Sequence, residues 1–222
     1  MKYFFRGNIS LITLLFSINV YADLSNYIYP YSKYPSHSNN GTVGLIQMPS
    51  ARLMPEGSVA FNLSNIDPYQ RGSIIGTPFN WFEASYQYTD VDNALYSLSP
   101  EFSGDQTYKD KSFDAKFLLL KEGDFLPAIA FGARDLAGTG VFSAEYLVAS
   151  KRFNNIDFTI GMGWGTFSDN GIKNPFRYID DGFDVRDVSG NETQGGEFSI
   201  GNYLSGKEVG IFGGVEVYLP NL

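Results

Sequence analysis

The sequence has 222 residues, no cysteine, one histidine (His37), 24 glycines and a formal net charge of −8. The absence of cysteine excludes a disulfide scaffold, a cysteine-ligated zinc site, a thiol nucleophile and a lipidated cysteine anchor. A single histidine argues against a histidine-ligated metal site or a histidine-based triad. The acidic balance argues against nucleic-acid binding. The remaining profile, rich in glycine and with 16% aromatic residues, is typical of a β protein, for which we expect no cofactor and no metal.

The N-terminus has the pattern of an export signal. Lys2 and Arg6 precede an apolar run over residues 9–20, and the small residue Ala22 lies before Asp23. The run is shorter than the roughly 20 apolar residues that span a bilayer, and a buried N-terminal helix is the alternative. We expect cleavage between Ala22 and Asp23. The predicted organisation is a signal peptide over 1–22, an extended leader over 23–40 and a β domain over 41–222.

Beyond residue 41, apolar residues recur at every second position, which is the period of a strand. The pattern predicts strands in which the apolar residues share one face. The positions are Val59, Phe61 and Leu63; Phe82, Ala84, Tyr86 and Tyr88; Phe113, Ala115 and Phe117; and Val209, Ile211, Val215 and Val217.

The alternation is sharpest between residues 141 and 165. Asn154-Asn155 predicts a tight turn, because asparagine tolerates the positive φ of two-residue hairpin loops. After the turn, one face carries five apolar side chains and the other carries small and polar residues, including glycines expected to make room in the interior. The apolar set is Ile156, Phe158, Ile160, Met162 and Trp164.

Two architectures cover one face of such strands: a soluble sandwich, and an outer-membrane barrel whose apolar face meets lipid. Residues 141–153 are long for a soluble strand, which usually has about 5–6 residues, and suit a spanning strand of about 9–11. The turn at Asn154-Asn155 is short, whereas the connection over 168–196 is long and polar, as in outer-membrane barrels. We therefore predict an all-β, antiparallel outer-membrane β-barrel with about seven or eight strands. This number is near the lower limit for closure, so an incomplete barrel stays open as an alternative.

Charged residues on such strands are expected to face a lumen or an interface, because arginine or lysine at the lipid midplane costs about 2–4 kcal/mol. Before the turn at Asn154-Asn155, the apolar residues Phe142, Ala144, Tyr146 and Val148 are expected to share one face of a strand. Glu145 lies on the other, less apolar face and is expected to line the lumen. The acidic segment 180–187 lacks the ligand spacing of an EF-hand, and loose calcium binding there stays open. The candidates for lumen or structural roles are Arg52, Arg71, Glu83, Arg134, Asp135 and Glu145.

Several stretches resemble the YjbH-like family of outer-membrane proteins of exopolysaccharide and capsule biosynthesis. They follow one another in order through most of residues 41–165. The stretches are 44–57 (GLIQMPSARLMPEG), 67–71 (DPYQR), 78–83 (PFNWFE), 88–90 (YTD), 108–116 (YKDKSFDAK), 126–135 (LPAIAFGARD), 138–140 (GTG), 142–152 (FSAEYLVASKR) and 161–165 (GMGWG).

The resemblance implies an outer-membrane β-barrel that acts without catalytic residues in the assembly or export of an extracellular polysaccharide. The implied partners are outer-membrane lipid, the polysaccharide and other polysaccharide-export proteins. Family members are much longer, so this chain is expected to be the first part of a longer architecture. Two alternatives stay open: a soluble periplasmic β-sandwich that binds polysaccharide or a partner protein, and an exported polysaccharide-modifying enzyme whose carboxylates the sequence does not identify.

Overall fold

The structure is a computed structural model that describes residues 35–168, 171–186 and 203–218, and the expected cleavage site at Ala22 and Asp23 lies outside these ranges. The described residues form one nine-stranded sheet. A single-turn helix, α1, covers Pro100–Ser103, and three short 3-10 turns lie at Gly165–Phe167, Pro175–Tyr178 and Asp181–Asp184. In the described ranges, none of the helical segments is long and apolar enough to cross a bilayer. The strands are β1 (Ser58–Ile66), β2 (Tyr69–Phe79), β3 (Phe82–Leu95), β4 (Thr107–Leu120), β5 (Ala128–Arg134), β6 (Ala144–Phe153), β7 (Ile156–Gly163), β8 (Ile172–Lys173) and β9 (Glu208–Val217).

The sheet is an antiparallel up-and-down meander in the order β1-β2-β3-β4-β5-β6-β7-β9-β8, with the two-residue β8 at its far edge. The all-β and antiparallel predictions are confirmed. Eight long strands match the upper expected number, and β8 adds a ninth. Among the described residues the sheet is not closed, because β1 pairs only with β2.

The connections differ between the two ends of the sheet. At one end, here called the turn end, Asn80-Trp81 and Asn154-Asn155 form tight turns, and Asn154 has the predicted positive φ of 54°. At the opposite end, here called the loop end, a short turn joins β1 to β2, and the connections 96–106, 135–143 and 164–207 are longer. The tight turn at Asn154-Asn155 and the long connection after β7 therefore lie at opposite ends of the sheet, as predicted.

The two faces of the sheet have opposite character, as the alternation predicts. The face here called outer carries large apolar side chains that are exposed, including Phe61 (77%), Leu63 (86%) and Ile160 (63%). The other face, here called inner, carries buried polar side chains such as Ser85, Thr89 and Ser112. A water-soluble protein normally has the reverse arrangement.

Residues 35–57, here called the inner segment, cover the inner face. They form isolated bridges and turns and no strand, and β1 begins at Ser58, directly after them. The inner segment spans the expected boundary between leader and β domain at residue 41. The strands whose inner face it covers are here called the wall. The first described residues of the inner segment also bind the wall, because the Asn62 side chain of β1 donates a 3.0 Å hydrogen bond to the Ser38 carbonyl.

The structure reverses the expected faces of β6. Tyr146 and Val148 lie on the inner face in an apolar cluster with Ala51 of the inner segment and Ala130 of β5, whereas Leu147 faces outward. Periodicity does not distinguish an apolar face that meets lipid from one that meets a small packed core. Both faces of β6 carry apolar residues, so its orientation is fixed by what packs against it.

The glycines of β5 and β7 make room for aromatic rings on the inner face. A Cβ atom on Gly132 would lie 2.3 Å from the Tyr146 ring, and one on Gly161 would lie 2.4 Å from the Phe212 ring. Gly163 faces Phe167 in the same way, at 2.7 Å. The expectation that inward glycines provide interior space is confirmed, and the space is filled by side chains of this chain.

Candidate functional site

The inner face is held to the inner segment by a fully buried ion pair. Glu83 of β3 and Lys116 of β4 lie opposite each other in the sheet register, with 3.0 Å between Lys116 Nζ and Glu83 Oε1 and neither side chain exposed. Both also bind the backbone of Val43, whose N–H donates to Glu83 Oε1 at 3.1 Å and whose carbonyl accepts from Lys116 Nζ at 2.9 Å. Glu83, a predicted candidate, is thus an inner-face residue that fastens the inner segment.

A second attachment is formed by Arg52 of the inner segment at the turn end. Its guanidinium makes two 2.8 Å hydrogen bonds to Asp157 of β7 and a salt bridge to Glu122. Asp157 also accepts from Arg152 of β6, at 3.1 Å, and Glu122 also pairs with Lys151, at 3.3 Å. The bidentate geometry of Arg52 fixes both its position and its direction.

Neutral polar groups complete the contact between wall and segment. The Gln87 side chain donates to the Asn40 carbonyl at 2.7 Å, and the Ala51 N–H donates to Ser150 Oγ at 2.9 Å. The Ser64 hydroxyl donates to the carbonyl of Asn39 at 2.8 Å. In each case the wall supplies a side chain and the inner segment supplies its backbone.

At the loop end the inner face carries a charged cluster around a small cavity of about 40 Å³. Asp114, Arg134 and Asp135 line it together with polar residues of β3 and β4. The Arg134 guanidinium lies over the Phe167 ring at 4.7 Å, and its Nε and Nη2 find no hydrogen-bond partner among the described residues. The polar lining and the volume are suited to ordered water.

Asp135 follows β5 directly and has a positive φ of 52°. Its N–H donates to Asp114 Oδ1 at 2.9 Å, and its own Oδ2 accepts from the Phe142 N–H at 3.1 Å. Burial raises the pKa of Asp135 to about 7, and the nearby Asp110 carboxylate adds to the increase. Arg71 of β2 lies close by, with its guanidinium 4.3 Å from the centroid of the Tyr69 ring.

The structure places Glu145 away from the expected lumen. It shares the outer face of β6 with Leu147, and the chain after β7 covers it completely. Arg186 binds both of its carboxylate oxygens, at 2.8 and 2.9 Å, and the Leu204 N–H donates to it at 2.9 Å. The expectation fails because the sequence did not show that residues after 164 fold over this end of the outer face. The role of Glu145 in the structure is to anchor that connection.

Asn174 organises the same connection. Its side chain accepts from Trp164 Nε1 at 3.1 Å and donates to the carbonyls of Leu204 and Gly206, each at 2.9 Å. In the acidic segment, Asp184 pairs with Arg177 at 3.1 Å. Within the described ranges, no group of three or more histidine, cysteine, aspartate or glutamate residues is arranged to hold a metal ion.

Sequence reasoning did not identify Lys116, Gln87 or Asp157 as site residues. All three lie at inward positions of strands whose outward residues the alternation had already assigned. The sequence therefore contained a usable signal. Polar residues at every second position of a strand identify the side chains that lie on its inner face. Lys116 and Gln87 bind backbone groups of the inner segment, which no residue pattern marks, whereas Asp157 binds the Arg52 side chain.

Comparison with known proteins gives a family. Residues 36–221 match the model of the YjbH family, described as exopolysaccharide biosynthesis protein YbjH. The chain is 43% identical over 216 residues to a protein of Escherichia coli (strain K12) named "Uncharacterized lipoprotein YjbH", covering 97% of this chain and 30% of that protein. The chain thus spans about a third of the length of that relative, and no solved structure matches it. The chain belongs to the YjbH family of exopolysaccharide biosynthesis proteins.

Proposed function

We propose that this chain forms part of the wall of an outer-membrane β-barrel, and that the barrel is a non-catalytic passage or scaffold for an extracellular polysaccharide. The proposed partners are outer-membrane lipid, the polysaccharide and other polysaccharide-export proteins. The family description supports the link to polysaccharide biosynthesis. Membrane residence and transport are our proposals.

The observation that carries the proposal is the inverted polarity of the sheet. Large apolar side chains cover the outer face along β1, β4 and β7, while wholly buried charges such as Glu83 and Lys116 lie on the inner face. Exposing such an apolar surface to water is unfavourable by about 25 cal/mol per Å², and lipid removes that cost. Large exposed apolar patches on soluble monomers are rare, which favours a membrane over water as the environment.

Aromatic side chains at the turn end support the same environment. Phe79 and Trp81 stack with centroids 5.4 Å apart, and Phe117 lies 6.2 Å from Trp81. Trp81 is in the tight turn between β2 and β3, at the edge of the apolar surface. Aromatic girdles occupy this position in outer-membrane barrels, at the level of the lipid headgroups.

The K12 relative is named a lipoprotein, which supports an exported, membrane-associated location for the family. We propose that the strands of this chain contribute to the contact with the membrane. The proposed role is non-catalytic, and in support of it Glu83 and Lys116 bind each other and the Val43 backbone, while Asp157 binds Arg52.

A spin-label experiment tests the environment of the outer face. The cysteine-free sequence allows single cysteines at adjacent positions: Leu63→Cys and Ile160→Cys facing outward, with Asn62→Cys and Thr159→Cys as matched inward controls. In outer-membrane vesicles we expect labels at the outward pair to collide preferentially with lipid-soluble oxygen, and labels at the inward pair to show no such preference.

A different result would contradict the proposal. If the protein is recovered from the periplasm in soluble form, or if labels at Leu63→Cys and Ile160→Cys collide preferentially with a water-soluble paramagnet, the outer face does not meet lipid. The soluble polysaccharide-binding alternative would then take its place.

A further inference from the structure

The wall beneath the inner segment is built from polar side chains, although it is buried. A packed core that serves stability alone is usually apolar. Among the described residues, the inner segment shares two small apolar clusters with the wall, around Val43 and Ala51. The buried hydroxyl and amide side chains of the wall are Ser73, Thr77, Ser85, Gln87, Thr89, Ser112, Ser150 and Thr159.

Each charged wall residue that binds the inner segment also has a partner on the wall itself. Glu83 has Lys116 on the neighbouring strand, and Asp157 has Arg152 directly opposite. At the turn end, Glu122 has Lys151. If the segment left, these carboxylates would remain paired, which avoids the large cost of an isolated buried charge. The ion pairs lost would be those of Arg52, which would leave with the segment.

The fit between wall and segment is also incomplete. Thr77 Oγ1, Ser85 Oγ and Glu83 Oε2 are buried and have no hydrogen-bond partner among the described residues. An unsatisfied buried polar atom is costly in a structure with a single packed state. These atoms are accounted for if the wall also meets water or another polar ligand.

We propose that residues 35–57 are a displaceable plug, and that the inner face beneath them is the contact surface for a hydroxyl-rich polysaccharide chain. This inference rests on the proposed function. It adds the surface along which the polysaccharide passes and the segment that closes this passage. With the plug in place, its backbone N–H and C=O groups form hydrogen bonds with the polar side chains of the wall. Sugar hydroxyls form these hydrogen bonds instead during passage of the polysaccharide. Because Glu83, Asp157 and Glu122 are each paired on the wall, the surface beneath the plug recognises hydroxyl groups more than net charge.

The closed arrangement is the resting state. The Arg52 ion pairs hold one part of the plug, and Val43 holds another through its hydrogen bonds to Glu83 and Lys116. The apolar contacts of Val43 and Met54 with Ile75 add to these bonds. Opening therefore needs an input of free energy, which binding of the polymer or of an export partner provides.

A reversible disulfide tests the displacement. The Ala51 N–H lies 2.9 Å from Ser150 Oγ, so the paired substitutions Ala51→Cys and Ser150→Cys place two thiols within bonding reach as the only cysteines in the sequence. Cells whose sole copy of the full-length gene carries both substitutions should release at least about tenfold less extracellular polysaccharide. The disulfide holds the plug on the wall, so only the minor fraction of the protein that lacks the disulfide can open. Addition of a reductant should restore release. Each single substitution alone should release the same amount of polysaccharide with and without the reductant.

Each outcome decides one of the two proposals. If cells without the gene release polysaccharide normally, the proposed function is wrong. If wild-type protein is required but the locked protein supports normal release, with the disulfide confirmed by gel mobility, the plug inference is overturned. A pair of thiols that neither oxidises nor is joined by a short bifunctional maleimide also overturns it, because the resting contact between Ala51 and Ser150 is then absent.

Thiol accessibility gives an independent measurement. Ser85 is 3% exposed beneath the plug, so Ser85→Cys should react slowly with a water-soluble thiol reagent in outer-membrane vesicles. Adding Arg52→Ala should raise the reaction rate by roughly tenfold, which corresponds to about 1.4 kcal/mol in the opening equilibrium. The control Lys111→Ala removes a cation at an exposed position of β4 and should leave the rate unchanged. If the Ser85→Cys thiol reacts at the same rate with and without the Arg52→Ala substitution, the plug inference is contradicted.

Discussion

At the scale of single residues, the Glu83–Lys116 pair gives a clear test of the inner face. Both side chains are 0% exposed, so Lys116→Met leaves a buried carboxylate without its cation. We expect the free energy of unfolding in detergent to fall by about 3–5 kcal/mol, because breaking a buried pair costs more than replacing it. The double variant Glu83→Gln/Lys116→Met should recover a large part of the loss.

The control is Lys111→Met, at an exposed position of the same strand. It should change the free energy of unfolding by less than about 0.5 kcal/mol. Equal effects of Lys111→Met and Lys116→Met in urea denaturation would show that Lys116 is not buried against Glu83.

Asp135 makes stability depend on pH in a defined direction. Burial, followed by the charge of Asp110, raises its pKa to about 7 in the folded protein, whereas an unfolded aspartate has a pKa of about 3.9. Between these values the folded state holds more protons, so its stability falls as pH rises from about 4 to 7 and is constant above that range. Asp135→Asn removes this dependence. The stability difference between variant and wild type should therefore grow over that range.

Denaturant midpoints measured from pH 4.5 to 8.5 check this prediction, with the exposed Asp124→Asn as the matched control. In the Asp135→Asn variant the amide oxygen can still accept from the Phe142 N–H, so the substitution keeps that hydrogen bond. A stability difference that stays constant with pH would show that Asp135 titrates alike in the folded and unfolded chains.

At the scale of elements, alternation predicted β7 well and β6 badly. Ile156, Phe158 and Ile160 face outward as expected, since the opposite side of β7 carries only small and polar residues. In β6 both sides carry apolar residues, and the inner side packs on Ala51, which precedes it by almost a hundred residues in the sequence. A local period identifies a strand and its two faces. It does not identify what a distant segment places against one of them.

The inner segment shows the same limit more strongly. It has no period, and it attaches through backbone groups such as those of Val43 and Asn40. Backbone groups are identical at every position, so the sequence pattern carries no mark of them. The wall residues were predictable as inward polar positions, and Arg52 was among the charged candidates. The pairing of Arg52 with Asp157 required the fold.

At the scale of the whole molecule, the open sheet bears on the proposed membrane location. The edge of β1 away from β2 has no strand partner in the described part of the chain. In lipid, each unpaired backbone group costs several kcal/mol, so a membrane-embedded form needs this edge to be paired. The relative is about three times as long as this chain, so pairing of that edge is best tested with full-length family members.

The two ends of the sheet predict its orientation in the outer membrane. Outer-membrane barrels place short turns toward the periplasm and long loops toward the outside. β1 starts and β9 ends at the turn end. If this end is periplasmic, exposed Lys173 and Lys207 of the loop end face the medium, and exposed Lys121 of the turn end does not.

Trypsin added to intact cells should therefore cleave after Lys173 or Lys207 and leave Lys121 intact until the outer membrane is permeabilised. Mass spectrometry of the fragments measures both steps. Lys173→Gln and Lys207→Gln together should abolish the fragments that end at these two residues, since trypsin needs a lysine or arginine side chain at the cleaved bond. Cleavage at Lys121 in intact cells would mean that the turn end faces outward, and cleavage at all three sites without permeabilisation would mean that the sheet does not span the membrane.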